Sequence, residues 1–195
     1  MLISMLFFWL AYALYDRSFD TAINRAGVFN YDSKYKGSTA KPASILKKDR
    51  ELSDAGFLVN HARILVGSGL ETFEKGKSAL QNWRHFSLNW AFVDPKTRIQ
   101  SGAKFCVCAK EIFPWLVMPL EVVYVDESRN SNNALASFRF GSGTLQGHLL
   151  QAGEERFSIT MDEKEAFGKS IFARDSTLLM KKLLSAKLDD VSNAP

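Results

Sequence analysis

Four strand-like segments follow one another between residues 104 and 161, and this succession constrains the fold more than any other feature of the chain. The polar stretch at residues 130–133 predicts a turn between the second and third segments, and we expect the four segments to form antiparallel strands. Pro119 lies within the second segment, where its missing N–H restricts it to an edge or a bulge. The predicted strands cover residues 104–111, 116–125, 135–140 and 155–161.

Periodic patterns on either side of these strands complete the predicted order of elements. Residues 57–66 alternate between two faces and predict a further strand, whereas residues 71–83 carry apolar side chains at helical spacing. Residues 171–188 contain a leucine stripe with lysines beside it, which predicts a long amphipathic helix. The order of strand, helix, antiparallel strands and long helix indicates an α+β fold.

The length of the chain predicts one domain with a substantial core. Its 195 residues are 46% hydrophobic and 24% charged, which is ordinary for a globular protein and argues against disorder. Fifteen phenylalanines suit a large core or an apolar cavity. We expect an apolar helical segment over residues 1–27, one domain over residues 28–188 and a disordered tail over residues 189–195.

The net charge of +4 is concentrated in residues 33–50, whose cationic side chains outnumber the acidic ones by five. A local basic patch attracts anionic surfaces such as lipid headgroups. Charge runs of this kind are most often solvated connections, so we favour that interpretation and keep a membrane surface as the alternative partner. The segment has no aromatic interleaving beyond Tyr35 and no glycine-rich phosphate loop, so nucleic acid is not an expected partner.

The amino-terminal residues 2–15 carry no charge. They are fewer than the roughly 20 residues that span a bilayer. No basic residue precedes them as in a signal peptide, although the stretch at residues 11–13 loosely resembles a cleavage site. An interfacial helix, a packed apolar helix and an artefact of start-site choice are the other interpretations. The residues expected to touch a membrane are Leu6, Phe7, Phe8, Trp9 and Leu10.

The sequence contains no motif for a cofactor, a metal or an activated nucleophile. Cys106 and Cys108 share a strand face, where neighbouring thiols rarely form a disulfide, and two sulfurs do not make a zinc site. We interpret them as buried thiols in a reducing compartment. The three histidines lack neighbouring ligands at metal-binding spacing, and nucleophile-elbow, Walker and dinucleotide motifs are absent. We therefore predict no cofactor, no metal and no catalytic residue.

Three segments of the chain resemble one protein family. They are GFLVNHARILVGSG at residues 56–69, LQNWRHFSLNWAFVDP at residues 80–95 and ASFRFGSGTLQGHLLQAGEERF at residues 136–157. In their order along the chain and in their residues, these segments resemble those of the plant and bacterial DUF1990 (UPF0548) proteins. With the element order, the resemblance implies a helix-grip fold like that of the Bet v 1 and START-like proteins, in which an antiparallel sheet curves around a carboxy-terminal helix. Compared with the family, about one strand and two helical turns are expected to be missing after residue 161.

The resemblance leaves three classes of function, because the family has no settled activity. A cavity between sheet and helix favours a non-enzymatic binding module for a lipid or other apolar small molecule. Plant relatives have been linked with the chloroplast outer envelope and with cation-channel behaviour, which implies a membrane protein as the alternative, although the strands are too few for a barrel in one chain. An enzyme ranks last. We expect the protein in the chloroplast outer envelope or the cytoplasm, not outside the cell, and leave its oligomeric state open.

Four polar residues form the predicted ligand-binding set: His61, Arg63, Glu121 and His148. His148 follows a glycine in the third family-like segment, although a histidine satisfied by turn backbone is the more ordinary interpretation. His61 and Arg63 share a strand face, so both can point into a cavity. A buried arginine requires a carboxylate partner, and Glu121 fits that role unless Arg63 lies at the wet end of its strand.

Overall fold

A curled sheet of seven antiparallel strands is the framework of the computed structural model, which describes residues 27–110, 115–130, 135–149, 152–162 and 169–179. The strands are β1 (Phe57–Ser68), β2 (Ala91–Phe92), β3 (Lys104–Lys110), β4 (Trp115–Asn130), β5 (Leu135–Thr144), β6 (Ala152–Asp162) and β7 (Lys169–Leu179). Their order in the sheet is β1-β7-β6-β5-β4-β3-β2, so β1 and β2 form its two edges.

The helices among the described residues are short and lie outside the sheet. They are α1 (Ala43–Leu46), α2 (Arg50–Asp54) and α3 (Gly69–Gln81), with 3-10 turns at Ser33–Tyr35, Ser38–Ala40 and Arg84–Phe86. α3 follows β1 directly and packs against β6. Gly76 permits this close approach, since a Cβ atom there would overlap the Ile159 side chain.

Most of the predicted elements are confirmed. The alternating segments form β1, β3, β4, β5 and β6, and the helical spacing before them forms α3. β4 extends five residues beyond the predicted end at residue 125, because its pairing with β5 continues to Asn130 and Leu135. The α+β class and the curled antiparallel sheet that the resemblance implied are therefore present.

The helix predicted over residues 171–188 is wrong for the part that the structure describes. Residues 171–179 belong to β7, which lies between β1 and β6 and pairs antiparallel with both. Two strands with unpaired backbone groups offer this segment hydrogen bonds on both sides, and such pairing overrides a leucine stripe that suits a helix. We had expected one strand to be missing after residue 161. Instead, β7 follows β6 in the chain and lies beside it in the sheet. Residues 180–188 lie outside the described residues.

Alternation along β6 divides the sheet into two faces. Phe157 and Ile159 are buried on the side that carries α3, which we call the helix face. Glu154 and Arg156 lie on the other side and bond with the turn Ser38–Ala40, so we call that side the loop face. The main core lies on the helix face, where it is rich in aromatic rings.

Candidate functional site

The chain leaves α3 in a conformation that L-residues rarely adopt. Trp83 has φ 56°, the only positive value at a non-glycine residue within the described ranges. This backbone costs about 1 to 2 kcal/mol. It persists because the indole is buried, packs with its ring centroid 4.5 Å from that of Phe105, and donates from Nε1 to the Thr97 carbonyl at 2.8 Å. The 3-10 turn that follows directs His85 towards the sheet.

His85 lies among aromatic side chains on the helix face. Its ring centroid is 4.4 Å from that of Phe157, 4.7 Å from that of Phe86 and 5.8 Å from that of Phe140. Both ring nitrogens are out of reach of solvent, and neither has a hydrogen-bond partner among the described residues. A buried polar group in this state costs about 1 to 3 kcal/mol, so it calls for a functional or structural explanation.

The protonation of His85 follows from its surroundings. Burial, and to a lesser extent the charge of Arg174, lowers the pKa of His85 from 6.5 to about 4. The ring is therefore neutral at physiological pH and carries one N–H donor and one acceptor nitrogen. Such a ring can recognise a hydroxyl or a carbonyl group in an otherwise apolar environment.

A cleft opens beside His85, between α3 and the β1–β7–β6 part of the sheet. Its volume is about 550 Å³. Its walls are mainly apolar, with two cationic side chains among them. The lining residues are Val66, Thr72, Lys75, Gly76, Ala79, Leu80, Arg84, His85, Ile159 and Phe172. Of these, Thr72 already donates its hydroxyl hydrogen to the Ser68 carbonyl at 2.7 Å.

A second depression, of about 610 Å³, lies on the loop face, and its walls are polar. We call it the basic groove. Four cationic side chains, a histidine and several hydroxyls line it. Its residues are Pro42, Ala43, Ser44, Lys47, His61, Arg63, Ser137, Arg139, Arg156, Ser158, Thr160 and Ala173.

Beside this groove, Glu154 is a buried carboxylate whose hydrogen bonds are all supplied by the fold. It is 1% exposed. Oε1 accepts from the Tyr31 hydroxyl at 2.9 Å and from the Gly37 N–H at 2.6 Å, while Oε2 accepts from the N–H and the hydroxyl of Thr39 at 3.2 and 3.1 Å. Burial and the Glu154 charge raise the pKa of Tyr31, which keeps its hydroxyl protonated as a donor. Glu154 thus fastens the amino-terminal turns to the sheet.

Arg156 completes this attachment two residues along β6. Its Nη1 donates to the carbonyl oxygens of Thr39 and Lys41 at 2.6 and 3.0 Å. The Thr39 hydroxyl also lies 3.2 Å from that of Tyr124, whose pKa is raised mainly by burial. These bonds hold the start of the basic segment, predicted as a solvated connection, against the loop face.

The four predicted ligand-binding residues are not gathered at one place. His61 and Arg63 both line the basic groove. Glu121 lies on β4 with its carboxylate 3.7 Å from the Lys36 ammonium, and is not a groove-lining residue. His148 lies in the turn after β5, where its N–H donates to the Leu145 carbonyl at 3.0 Å. The structure therefore brings together one pair of the set and leaves two members elsewhere.

Sequence reasoning did not single out His85 or Trp83 as site residues. Both lie in the second family-like segment, directly after the predicted helix, in the run Trp83-Arg84-His85-Phe86. A histidine between aromatic residues at a helix end is a usable signal, since it predicts a ring carried into the core. What it does not reveal is whether the ring nitrogens find partners.

Two further sequence predictions concern other parts of the chain. Cys106 and Cys108 are confirmed as buried thiols without a disulfide, and burial, with the neighbouring Cys108, raises the pKa of Cys106 to about 12. The five predicted membrane-contacting residues, 6–10, lie outside the described residues. Among the helices that are described, none is long and apolar enough to cross a bilayer.

Some solved structures are similar in outline. Ara h 8.0201 matches with a TM-score of 0.42 and 8% identity over 70% of this chain and 91% of its own. The major latex-like protein 151 of Panax ginseng matches with a TM-score of 0.36 and 13% identity over 71% of this chain and 99% of its own. At these TM-scores the likeness says nothing about ligand or activity.

Sequence relatives are much closer. A UPF0548 protein of Arabidopsis thaliana is 61% identical over 140 residues, which are 72% of this chain and 68% of that protein. A UPF0548 protein of Dictyostelium discoideum is 31% identical over 106 residues, or 54% of this chain and 48% of its own. The family model described as a domain of unknown function, DUF1990, matches residues 40–181. The chain therefore belongs to the DUF1990 (UPF0548) family.

Proposed function

We propose that this protein is a non-enzymatic binding module whose cleft beside α3 holds a lipid or other apolar small molecule. The observation that carries the proposal is the His85 ring, which lines this cleft with both nitrogens buried and unpaired among the described residues. Both nitrogens are shielded in the unliganded protein, so the imidazole would turn to present one of them to a hydroxyl or carbonyl group of the ligand, whose apolar body would occupy the rest of the cleft.

The size and chemistry of the cleft support this proposal. Small-molecule sites usually measure about 300–1,000 Å³ and combine apolar walls with a few convergent polar groups. The cleft has about 550 Å³, and Leu80, Ile159 and Phe172 provide apolar surface on three elements. Arg84 and Lys75 are exposed and add positive charge to the lining, which suits a ligand with a polar end.

The titratable groups of the cleft favour recognition over catalysis. His85 is neutral because its pKa is about 4, so it is a poor proton acceptor at physiological pH. The described lining residues include no carboxylate and no thiol that could act with it. Two cations and a neutral imidazole are a suitable set for orienting a ligand.

The alternative implied by the family resemblance, a cation channel of the chloroplast outer envelope, has no specific support in the described residues. Location in that envelope or in the cytoplasm stays a prediction, as does contact of residues 6–10 with a membrane.

Binding of a neutral, fluorescent naphthyl ketone tests the proposed function. The ketone oxygen can accept from the His85 ring, and the absence of charge avoids attraction to the basic groove. Ala79→Trp should abolish saturable binding by filling the cleft, because Ala79 lines it. Gln81→Trp is the matched control, since Gln81 is an exposed residue of the same helix that does not line the cleft.

A third variant separates the polar contact from the cleft itself. His85→Phe preserves the ring but removes both nitrogens, so we expect weaker binding by about tenfold, the value of one hydrogen bond to a buried group. Saturable binding that is equally strong in the wild type, Ala79→Trp and His85→Phe would overturn the proposal, as would the absence of any saturable binding to the wild type.

A further inference from the structure

We propose that the basic groove on the loop face binds a phosphate-type oxyanion, independently of the cleft beside α3. Two cationic side chains, Arg63 and Lys47, line the groove without forming an ion pair with any described residue. Both are exposed at the groove and can meet a ligand from solvent. A phosphate group satisfies several cationic and hydroxyl donors at once, because it has three acceptor oxygens and up to two negative charges.

The sheet register builds this groove from one cross-strand row. Arg139 on β5 pairs with Ser158 on β6, Ser158 pairs with Ala173 on β7, and Ala173 pairs with Arg63 on β1. Paired residues project to the same face, so two small side chains lie between two arginines. Since neighbouring strands are about 4.8 Å apart, the arginines stand about 14 Å apart at their Cα atoms. Ser158 and Ala173 form a shallow floor over which both guanidinium groups can reach inwards.

Hydroxyls extend the floor to one side of this row. Ser137 and Thr160 are register partners on β5 and β6 and also line the groove. The Ser137 hydroxyl lies 2.8 Å from that of Ser128, while Thr160 is half-buried. α1 brings Ser44, with Lys47 following at the end of the helix, to the groove from outside the sheet. The anion would thus have donors beneath it and cations around it.

The negative charges near the groove leave the Arg63 end cationic. Arg139 is ion-paired with Asp126 at 2.5 Å, so it is partly neutralised. Asp175 belongs to the neighbouring cross-strand row, as the register partner of both His61 and Arg156. The groove-lining residues whose side chains the structure describes include no carboxylate. Arg63 and Lys47 are therefore the cations expected to determine affinity.

The size of the groove indicates that the phosphate group belongs to a larger organic molecule. At about 610 Å³ it is much larger than inorganic phosphate, so it has room for an organic portion beside the oxyanion. The same phosphomonoester chemistry occurs on soluble metabolites and on a lipid headgroup such as that of phosphatidic acid. The two sources share the recognition site and differ in whether the ligand is embedded in a bilayer.

Titration calorimetry with glycerol 3-phosphate and flotation with vesicles test the site and its source. The vesicles are phosphatidylcholine alone or phosphatidylcholine with phosphatidic acid. The groove variant is Lys47→Gln with Arg63→Gln, and the control with the same charge change is Lys96→Gln with Arg98→Gln. All four residues are exposed, so both variants should fold. We expect the groove variant to weaken binding by about tenfold or more, as for the loss of a charge-assisted hydrogen bond, while the control keeps the wild-type affinity.

The outcomes distinguish the sources and can overturn the proposal. Selective loss of glycerol 3-phosphate binding in the groove variant supports a soluble phosphate ester. Selective loss of flotation with phosphatidic acid, without soluble binding, supports a lipid headgroup at the same site. Equal losses in the groove and control variants would mean that only net charge matters, and this result would overturn the proposal. Failure of every probe to bind the wild-type protein would overturn it as well.

Discussion

Two buried titratable groups, Glu154 on the loop face and His85 on the helix face, show how differently the two sides of one sheet are completed. The Glu154 side chain is 1% exposed, whereas His85 is half-buried with both of its ring nitrogens shielded from water. Every charged oxygen of Glu154 accepts hydrogen bonds from the amino-terminal turns. His85 receives none from the described residues and has aromatic rings around it instead. Glu154 therefore stabilises the fold, whereas His85 is the group that we propose contacts a ligand.

We expect the largest effect on stability from removing the hydrogen-bonded carboxylate of Glu154. Glu154→Ala leaves the buried N–H of Thr39 and the half-buried N–H of Gly37 without an acceptor, and we expect the free energy of unfolding to fall by about 4 kcal/mol. Urea unfolding measures the change. Glu71→Ala is the control: Glu71 forms an exposed pair with Lys75, and its loss should cost about 0.5 kcal/mol or less. Equal stability of the wild type and Glu154→Ala would refute the anchoring role.

The unpaired imidazole of His85 predicts that the free energy of unfolding depends on pH, by nearly as much as Glu154→Ala changes it. Because the folded-state pKa of His85 is lowered from 6.5 to about 4, acid favours the unfolded chain, which binds the proton more readily. This contribution to stability is complete above pH 6.5 and is lost as the pH falls towards about 4, by about 3 kcal/mol in total. The measurement compares urea unfolding of the wild type and His85→Phe across that range. Other titrating groups cancel in the comparison, so an identical acid loss in both proteins would contradict the assignment.

A substitution beside Glu154 tests how tightly the loop face is packed. Gly143 is the register partner of Glu154, and a Cβ atom there would overlap the Tyr31 hydroxyl and crowd the Phe29 ring. We expect Gly143→Ala to destabilise the protein by about 2 kcal/mol, the usual effect of overpacking. In a Tyr31→Phe background the effect should be smaller, because the overlapping hydroxyl is gone. Additive effects in this double-mutant cycle would show that the overlap does not limit the packing.

The smallest expected effect has the opposite sign. His85→Phe replaces two unpaired buried nitrogens with apolar atoms of similar shape, so we expect the unliganded protein to gain about 1 kcal/mol. The gain is read from the urea midpoint at neutral pH. Destabilisation by the same variant would mean that the imidazole has partners in the fold, and the contrast with Glu154 would disappear.

The sequence was sufficient for the antiparallel sheet and for α3, because both depend on periodic patterns of apolar side chains. It was misleading for residues 171–179, where leucine spacing suits a helix but pairing with β1 and β6 produces β7. A local pattern cannot reveal that β1 and β6 both have backbone groups available to pair with this segment. The prediction depended on a long-range contact that only the folded sheet contains.

The site was harder to predict than the fold for a similar reason. His61 and Arg63 were identified as sharing a strand face, and they do line one groove. Glu121 was predicted as a carboxylate partner for Arg63 and His148 for its place in a family-like segment, and the structure leaves both outside that groove. His85 depends on the positive φ of Trp83, which is stabilised by packing against Phe105 and has no sequence signature. Tertiary constraints of this kind create the site.

The most direct test of the central claim is the ¹⁵N chemical shift of the His85 ring, measured by NMR with and without the neutral naphthyl ketone. His85→Phe identifies the signals by their loss. We predict neutral-ring signals in the unliganded protein and a change at the protonated nitrogen on saturation, with the signals of His61 and His148 unmoved. Saturation by the ketone with the His85 signals unchanged would show that the ring does not contact the ligand, and would contradict the account.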